Sequence, residues 1–559
     1  MKPDTRTYAR ADDLSPGTRS ALRQMVTIGV TAGLALTLTY AVPLLHPFRP
    51  WVPGDRPPFA VFFGEESEAL GPNVVVGRKV KETLGVAAKK AGVSEALMAE
   101  AEAAAAEPDE EGGPPPGDGP LPDAAPPSEA PLPDEAPAEE PGPAAAPSPV
   151  PEVPVPEPVV KPVAMVGAVD LSPEALAKDV EGITGEVELV ERLAPFFKAL
   201  RATAHREAGA VTRISHYGAS EIGADGMTSV TRRKLQARFG SAGKGWVNIA
   251  PGWQWYKHKD VVYKTRGWSS RTVTSADLDG KFGRHRYGFG GVAGLGRGAG
   301  AEASYKVFAD RLEVFYLGYP SGGNLGLSVN GGPEEVFSTK SEEETDLTKV
   351  FRGTPGVENT FTVKAKGGGT VHAYGVTLET DGPGVVYDCI QLIGTRGSRF
   401  LNYDQEHLRR QTELRKPDLQ IIVYGGNELV DRDMALAPYE KKYEEVVRRI
   451  HAGAPGGACI VMTPQDHGEK DRGRIVTVPL LKKLIPIQRR VAERAGCAFF
   501  DLWSAMGGDG TMGRWYSSNP RLAWGDFTHL TPAGDRVLGA IVYKAIMKGF
   551  ADWLAQNPG

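Results

Sequence analysis

The sequence predicts an α/β protein in which a parallel sheet is interrupted by an inserted antiparallel β-sandwich. Three observations predict it. Strand–helix alternation starts near residue 171, stops near 255 and resumes after 384, with apolar strands such as "DLQIIVYGG" and "ACIVMTP" that suit a sheet covered on both faces. Between 256 and 383 the pattern changes to short alternating runs such as "RLEVFYL" and "NTFTVKA", parted by Gly, Asn and Pro turns. Ahead of both, residues 101–160 hold 14 Asp and Glu and no Lys or Arg, and 20 of the 45 prolines fall between 101 and 162. Such a stretch cannot bury enough apolar surface to offset its ordering entropy.

From the N-terminus, residues 1–24 form a basic tail, and 25–45 are 21 positions without a charge. As a helix these would span about 31 Å, close to the hydrocarbon thickness of a bilayer. Lys2, Arg6, Arg10, Arg19 and Arg23 precede the run, and only Arg49 and Arg56 follow closely. That bias predicts a single-pass anchor with the tail in the cytoplasm and the rest outside. A cleaved signal peptide is the alternative, with Thr39-Tyr40-Ala41 as a poor cleavage site. Residues 46–106 read as a juxtamembrane segment with a short Ala/Glu/Lys-rich helix. The linker, 107–163, is expected to be disordered and to act as a tether, with a contour near 170 Å at roughly 3.1 Å per residue.

The folded part begins with "DLSPEALAKDV", where Ser172 is the expected N-cap and Pro173 sits in the first turn. A helix interrupted at Pro195, the strand "AVTRISHYG" and the helix "GADGMTSVTRRKLQARFG" complete a first part, 170–255. The insertion, 256–383, contains "GFGGVAGLGRGAGA", expected to be loop; nothing around it fits a phosphate cradle. The second part, 384–559, continues strand and helix to a final helix after "WGDFTHLTPAG".

Charge excludes one class of partner. Residues 161–559 carry 52 basic and 45 acidic side chains, a mild excess that is no nucleic-acid footprint. Cys389, Cys459 and Cys497 lie in short apolar runs, and their odd count and wide spacing predict buried thiols with no disulfide and no zinc site. His258, His285, His372 and His467 have no metal-ligand spacing, so no metal and no cofactor are expected.

The chemistry is expected at strand ends, where open α/β sheets gather reactive groups. Ser220 stands directly after "ISHYG", Gly394 after "YDCIQLI" and Asn427 after "DLQIIVYGG"; Asp526 and His529 precede the last helix. A helix N-cap is the structural alternative for Ser220. Trp253, Trp255 and Tyr256 could stack on sugar rings, or equally pack where the insertion meets the sheet.

In this order the blocks resemble the SGNH (GDSL-type) hydrolases. Gly218-Ala219-Ser220 matches the first block, Gly394 the second, Gly425-Gly426-Asn427-Glu428 the third and Asp526 to His529 the fifth. "LQARFGSAGKGW", "WQWYKHK", "QRRVAERAGCAFFDLWSAMGG" and the β insertion are similar to the membrane-linked branch that includes peptidoglycan O-acetylesterases. The resemblance implies a three-layer, flavodoxin-like sheet with a carbohydrate-binding-like insertion. It also implies a Ser220–His529–Asp526 triad, and an oxyanion hole from the Ser220 and Gly394 N–H groups and the Asn427 amide. One departure is Ala219, where the family usually has Asp. The implied function is removal of O-acetyl groups from peptidoglycan or another acetylated polysaccharide, outside the bacterial inner membrane. The alternatives are an O-acetyltransferase using the same triad, or a catalytically silent glycan-binding protein.

Overall fold

The computed structural model of the chain describes residues 85, 87–105, 167–274 and 285–558. The expected anchor at 25–45 and the linker at 107–163 lie outside these residues. Among the described residues no helix is long and apolar enough to cross a membrane.

The central sheet has five parallel strands: β1 (Val211–Gly218), β11 (Gly384–Gln391), β12 (Leu419–Val423), β13 (Ala458–Met462) and β16 (Ala498–Phe500), in the order β11-β1-β12-β13-β16. Counted along the chain this is the 2-1-3-4-5 order of flavodoxin-like sheets, which places the topological switch point between β1 and β12. Residues of these strands alternate between two cores, as the two-residue period requires. Ile421, Ile460 and Phe500 face one; Ile422, Val461 and Phe499 face the other. Helices α3 (Ala194–Ala204), α4 (Gly226–Phe239) and α10 (Pro532–Gln556) cover the first face, and α5 (Gln405–Arg415), α6 (Leu436–His451) and α7 (Pro479–Ala495) the second.

Local signals account for the helix ends. Ser172 caps α2 (Pro173–Asp179), its Oγ accepting the Ala175 N–H at 3.3 Å. Pro195 falls in the first turn of α3, after a short 3-10 stretch at Val190–Leu193, so the interruption is a fresh helix start. Helix α4 stops at Gly240, whose φ of 90° suits only glycine.

The insertion is one hydrogen-bonded sheet of nine strands folded into two layers. Strands β5 (Val292–Phe308) and β10 (Glu358–Glu379) run through both layers. The first half of β10 pairs with β7 (Asn324–Val329), and its second half pairs with β6 (Arg311–Gly318) and β2 (Gly243–Asn248). Leu325, Phe361 and Val363 from one layer pack with Leu312, Val314 and Val376 from the other. The antiparallel sheet therefore takes in residues from Gly243. The glycine-rich stretch expected to be loop is a turn only at 288–291; from Val292 it is the first half of β5. A Cβ on Gly294 would lie 2.6 Å from Ile249 Cγ2, and one on Gly296 2.7 Å from Ala365 Cβ, so these glycines permit close packing inside a strand.

Ion pairs fasten the insertion to the parallel sheet. Arg415 donates to both oxygens of Asp388 at 2.8 Å and to Glu379 at 2.6 Å. Asp388 also accepts the Trp246 N–H at 2.8 Å, so β2, β10 and β11 are held at one buried point. Trp246 itself is buried in this seam.

The expectation that the cysteines stay unpaired is overturned. Cys459 and Cys497 form a disulfide, and only Cys389 is free. The cause is register: β13 pairs with β16 so that Ile460 lies opposite Ala498, which leaves the preceding residues, Cys459 and Cys497, side by side.

Helix α1 (Glu95–Ala105) belongs to the same body. Leu97, Met98 and Ala101 are buried in the core beneath α10, and Glu100 pairs with Lys234 of α4 at 2.5 Å.

Candidate active site

The register of the sheet brings the sequence blocks to one edge. Gly218 pairs with Gln391 and Tyr217 with Ile422, so the segments after β1, β11 and β12 leave the sheet at one level. A Cβ on Gly218 would lie 2.8 Å from Val423 Cγ1, so the first block reaches its position only with glycine there.

Ser220 opens a short 3-10 stretch, Ser220–Asp225, and is half-buried. It does not cap α4, whose N-cap position is Asp225. The expected helix from 223 starts at Gly226 instead, because Ala224 and Asp225 are left-handed, with φ of 52° and 59°. Asp225 holds this turn from beneath. Its carboxylate accepts Thr228 Oγ1 at 2.6 Å, Arg232 at 2.8 Å and the Lys259 N–H at 3.1 Å, and pairs with Lys244 at 3.0 Å. Burial alone would raise its pKa, but the Arg232 and Lys244 cations outweigh it and keep Asp225 ionised. Asp225, His258 and Cys389 bring three possible ligand atoms within 4.8 Å of one another. The cations at this cluster are the Lys244 ammonium and the Arg232 guanidinium, and burial pushes the Cys389 thiol up to about 12, so the donor set suits an internal ion-pair network.

Gly394 is half-buried and left-handed, with φ of 69°. The Asn427 amide donates to the Thr395 carbonyl at 3.2 Å, tying the third block to the second. Glu428 accepts the Gly397 N–H at 2.9 Å and reinforces the same link.

The fifth block is an aspartate–histidine pair. His529 Nδ1 lies 2.8 Å from Asp526 Oδ2, while Asp526 Oδ1 accepts the Thr528 and His529 N–H groups at 2.9 and 3.0 Å. Partial burial opposes ionisation, but the hydrogen bonds from His529 and Thr528 prevail and pull Asp526 down to about 2. Two bonds from the segment after β13 steady the turn: Gln465 Nε2 donates to Thr528 O at 2.6 Å, and Gly468 N to Phe527 O at 2.7 Å. With Nδ1 committed to Asp526, Nε2 is the nitrogen through which this imidazole can exchange a proton. Asp535, in the first turn of α10, stands against the start of α4, its carboxylate occupying the space a Cβ on Gly226 would need, and burial pushes its carboxyl up to about 7.

The remaining expected positions divide. Trp255 is half exposed, with its ring centroid 6.1 Å from that of Trp253, which is partly buried against the insertion core. Tyr256 is buried, which agrees with the packing alternative of its two expected placements. Its hydroxyl accepts the Asn248 N–H at 2.8 Å and lies 2.7 Å from His258 Nε2, so its polar end is satisfied inside. His216 is structural, its Nδ1 2.8 Å from Tyr387 Oη, and burial lowers it to about 3. Sequence reasoning missed Asp225, Gln465, His467 and Asp535, which stand in no recognisable block; only the fold brings them to the rim.

The sequence profile of the GDSL-like lipase/acylhydrolase family matches residues 355–537. The matched span holds Gly394, Asn427, Asp526 and His529 but not Ser220, which the insertion separates from the other blocks. No curated protein matches the chain. Among solved structures, a peptidoglycan O-acetylesterase shares the fold, with a TM-score of 0.55 at 21% identity over 64% of this chain and 96% of that one. A family two carbohydrate esterase from Clostridium thermocellum in complex with cellohexaose aligns over 53% of this chain and all of its own, at 11% identity and a TM-score of 0.23. A salicylyl-acyltransferase from a tetracycline biosynthetic pathway gives 11% identity over 53% of this chain and 95% of its own, with a TM-score of 0.24. Neither of these two scores carries weight.

Proposed function

We propose that the protein is a serine esterase that removes O-acetyl groups from cell-wall glycan or a related polysaccharide. The observation that carries this reading is the Asp526–His529 pair, at the same sheet edge as Ser220. Ser220 Oγ attacks the ester carbonyl and its proton passes to His529 Nε2, while Asp526 holds the ring and steadies its positive charge. The tetrahedral oxyanion is received by the Ser220 and Gly394 N–H groups and by the second N–H of the Asn427 amide, whose first is engaged by Thr395. The sugar hydroxyl departs with the proton from His529, and water attacks the acetyl-Ser220 ester through the same imidazole.

Glycan as the substrate is supported by the two-layer β insertion, by the exposed Trp255, and by the fold shared with a peptidoglycan O-acetylesterase. A place outside the cytoplasm is supported by the Cys459–Cys497 disulfide and by the uncharged run at 25–45. The test is acetate release by the full-length chain from O-acetylated peptidoglycan and from p-nitrophenyl acetate. Release by wild type and none above background by Ser220→Ala is expected; equal release by both contradicts the reading.

A further inference from the structure

The family to which the blocks are similar places a carboxylate just before the nucleophile, and this chain has Ala219 there. A different carboxylate stands beside the same backbone. Glu221 is 5% exposed, and its Oε2 accepts the Ala219 N–H at 3.2 Å, two residues back along the chain. Its other oxygen, Oε1, lies 2.5 Å from where a Cβ on Gly426 would sit, and His467 Nε2 lies 2.9 Å from that same point. Gly426 directly precedes Asn427. A side chain at 426 would therefore have to displace both Glu221 and His467. The charge of Glu221 also reaches Glu428, whose carboxyl is pushed up to about 7 by burial first and by Glu221 in part.

We infer that Glu221 is a positioning residue: it clasps the N–H of Ala219 with one oxygen and, with His467, brackets Gly426 with the other, fixing the serine segment and the Asn427 segment in one geometry. This rests on the esterase reading, because the two segments carry the proposed nucleophile and an oxyanion donor. The physical need is specific. β1 ends at Gly218, and Ala219, which leads into Ser220, adopts φ −101° and ψ −128°, outside the regular strand and helix regions. An acceptor aimed back at the Ala219 N–H fixes the peptide that leads into the nucleophile. The bracket on Gly426 sets the distance from there to Asn427. Misplacement of reacting groups by about 1 Å can cost on the order of 10²-fold in rate while leaving substrate affinity nearly unchanged.

The test uses the full-length chain and p-nitrophenyl acetate, with kcat, KM and Tm measured for Glu221→Ala, Glu221→Gln, Gly426→Ala and the Glu221→Ala/Gly426→Ala pair. Glu221→Ala is expected to lose about 10²-fold in kcat with KM within about twofold. Glu221→Gln keeps an oxygen acceptor for the Ala219 N–H and is expected to recover most of the loss. Gly426→Ala should lower kcat in the wild-type background but add little once Glu221 is already Ala, the non-additivity of groups that act as one unit. Wild-type kcat in Glu221→Ala, equal losses in the Ala and Gln variants, or additive losses in the pair would each overturn the inference. Should Glu221→Ala fail to fold, Glu221→Gln and Gly426→Ala still decide, the first by retained and the second by reduced kcat. Ser220→Ala is the separate control: if it is fully active, the esterase reading fails before any role for Glu221 arises.

Discussion

At Asp526 three hydrogen bonds converge, from the His529 imidazole and from the Thr528 and His529 amides, and they hold its carboxyl near 2. The aspartate is therefore ionised at any pH where the protein would work, and its contribution is orientation of the ring as much as charge. Asp526→Asn keeps the amide-accepting oxygen but presents the wrong partner to Nδ1. It should lower kcat by several orders of magnitude with little change in Tm, checked by steady-state kinetics beside a thermal melt. Asn427→Ala removes one proposed oxyanion donor and should cost about 10²–10³ in kcat. These proposed site residues stood out in the sequence because each lies in a loop a few residues after a strand or before a helix. Asp225, His467 and Asp535 were not, since their partners lie on segments far apart in the chain. For Tyr256 the aromatic neighbours left a sugar platform and packing at the insertion equally open, and the fold shows its hydroxyl accepting the Asn248 N–H.

Among the secondary-structure elements, the parallel strands could be read from their apolar runs, while contacts between strands could not. The register of β13 against β16 decides that Cys459 and Cys497 meet, and the wide spacing that argued against a bridge is the length of helix α7 and its connections. By the chain-entropy account, a bridge closing a separation of 38 residues stabilises by about 4 kcal/mol, so reduction should lower the urea midpoint measurably. The glycines of β5 were unreadable as strand because their role is close approach to Trp268 and Ile249. At the seam, Arg415→Met leaves Asp388 and Glu379 buried with one cation fewer and should destabilise by about 3–5 kcal/mol in urea unfolding. Burial pushes the Glu379 carboxyl up, but Arg415 and Arg213 outweigh it and hold it near 2. A carboxyl depressed in the folded state adds stability above its unfolded pKa, near 4.3, and loses it as pH falls toward 2. Wild type should therefore lose stability between pH 5 and pH 2.5 more steeply than Glu379→Gln.

For the molecule as a whole, α1 changes what the linker can do. Leu97 and Met98 lie in the same core as Val169, so folded segments bound the proline-rich stretch 107–163 on both sides. The chain joins the folded body at α1, ahead of the stretch expected to act as a tether. Any reach from 25–45 belongs to the residues between 46 and α1. Leu97→Ala should then destabilise the entire catalytic domain by about 2–5 kcal/mol, seen as a lower urea midpoint, although the residue precedes the linker.

The central claim is that Ser220 is a nucleophile activated by His529, and covalent labelling by a fluorophosphonate tests it most directly. The full-length chain is incubated with the probe, digested and mapped by mass spectrometry, beside Ser220→Ala and His529→Ala. A single adduct on Ser220, absent from the first variant and slowed by orders of magnitude in the second, is the predicted result. An adduct on another residue, or none while acetate release continues, contradicts the account.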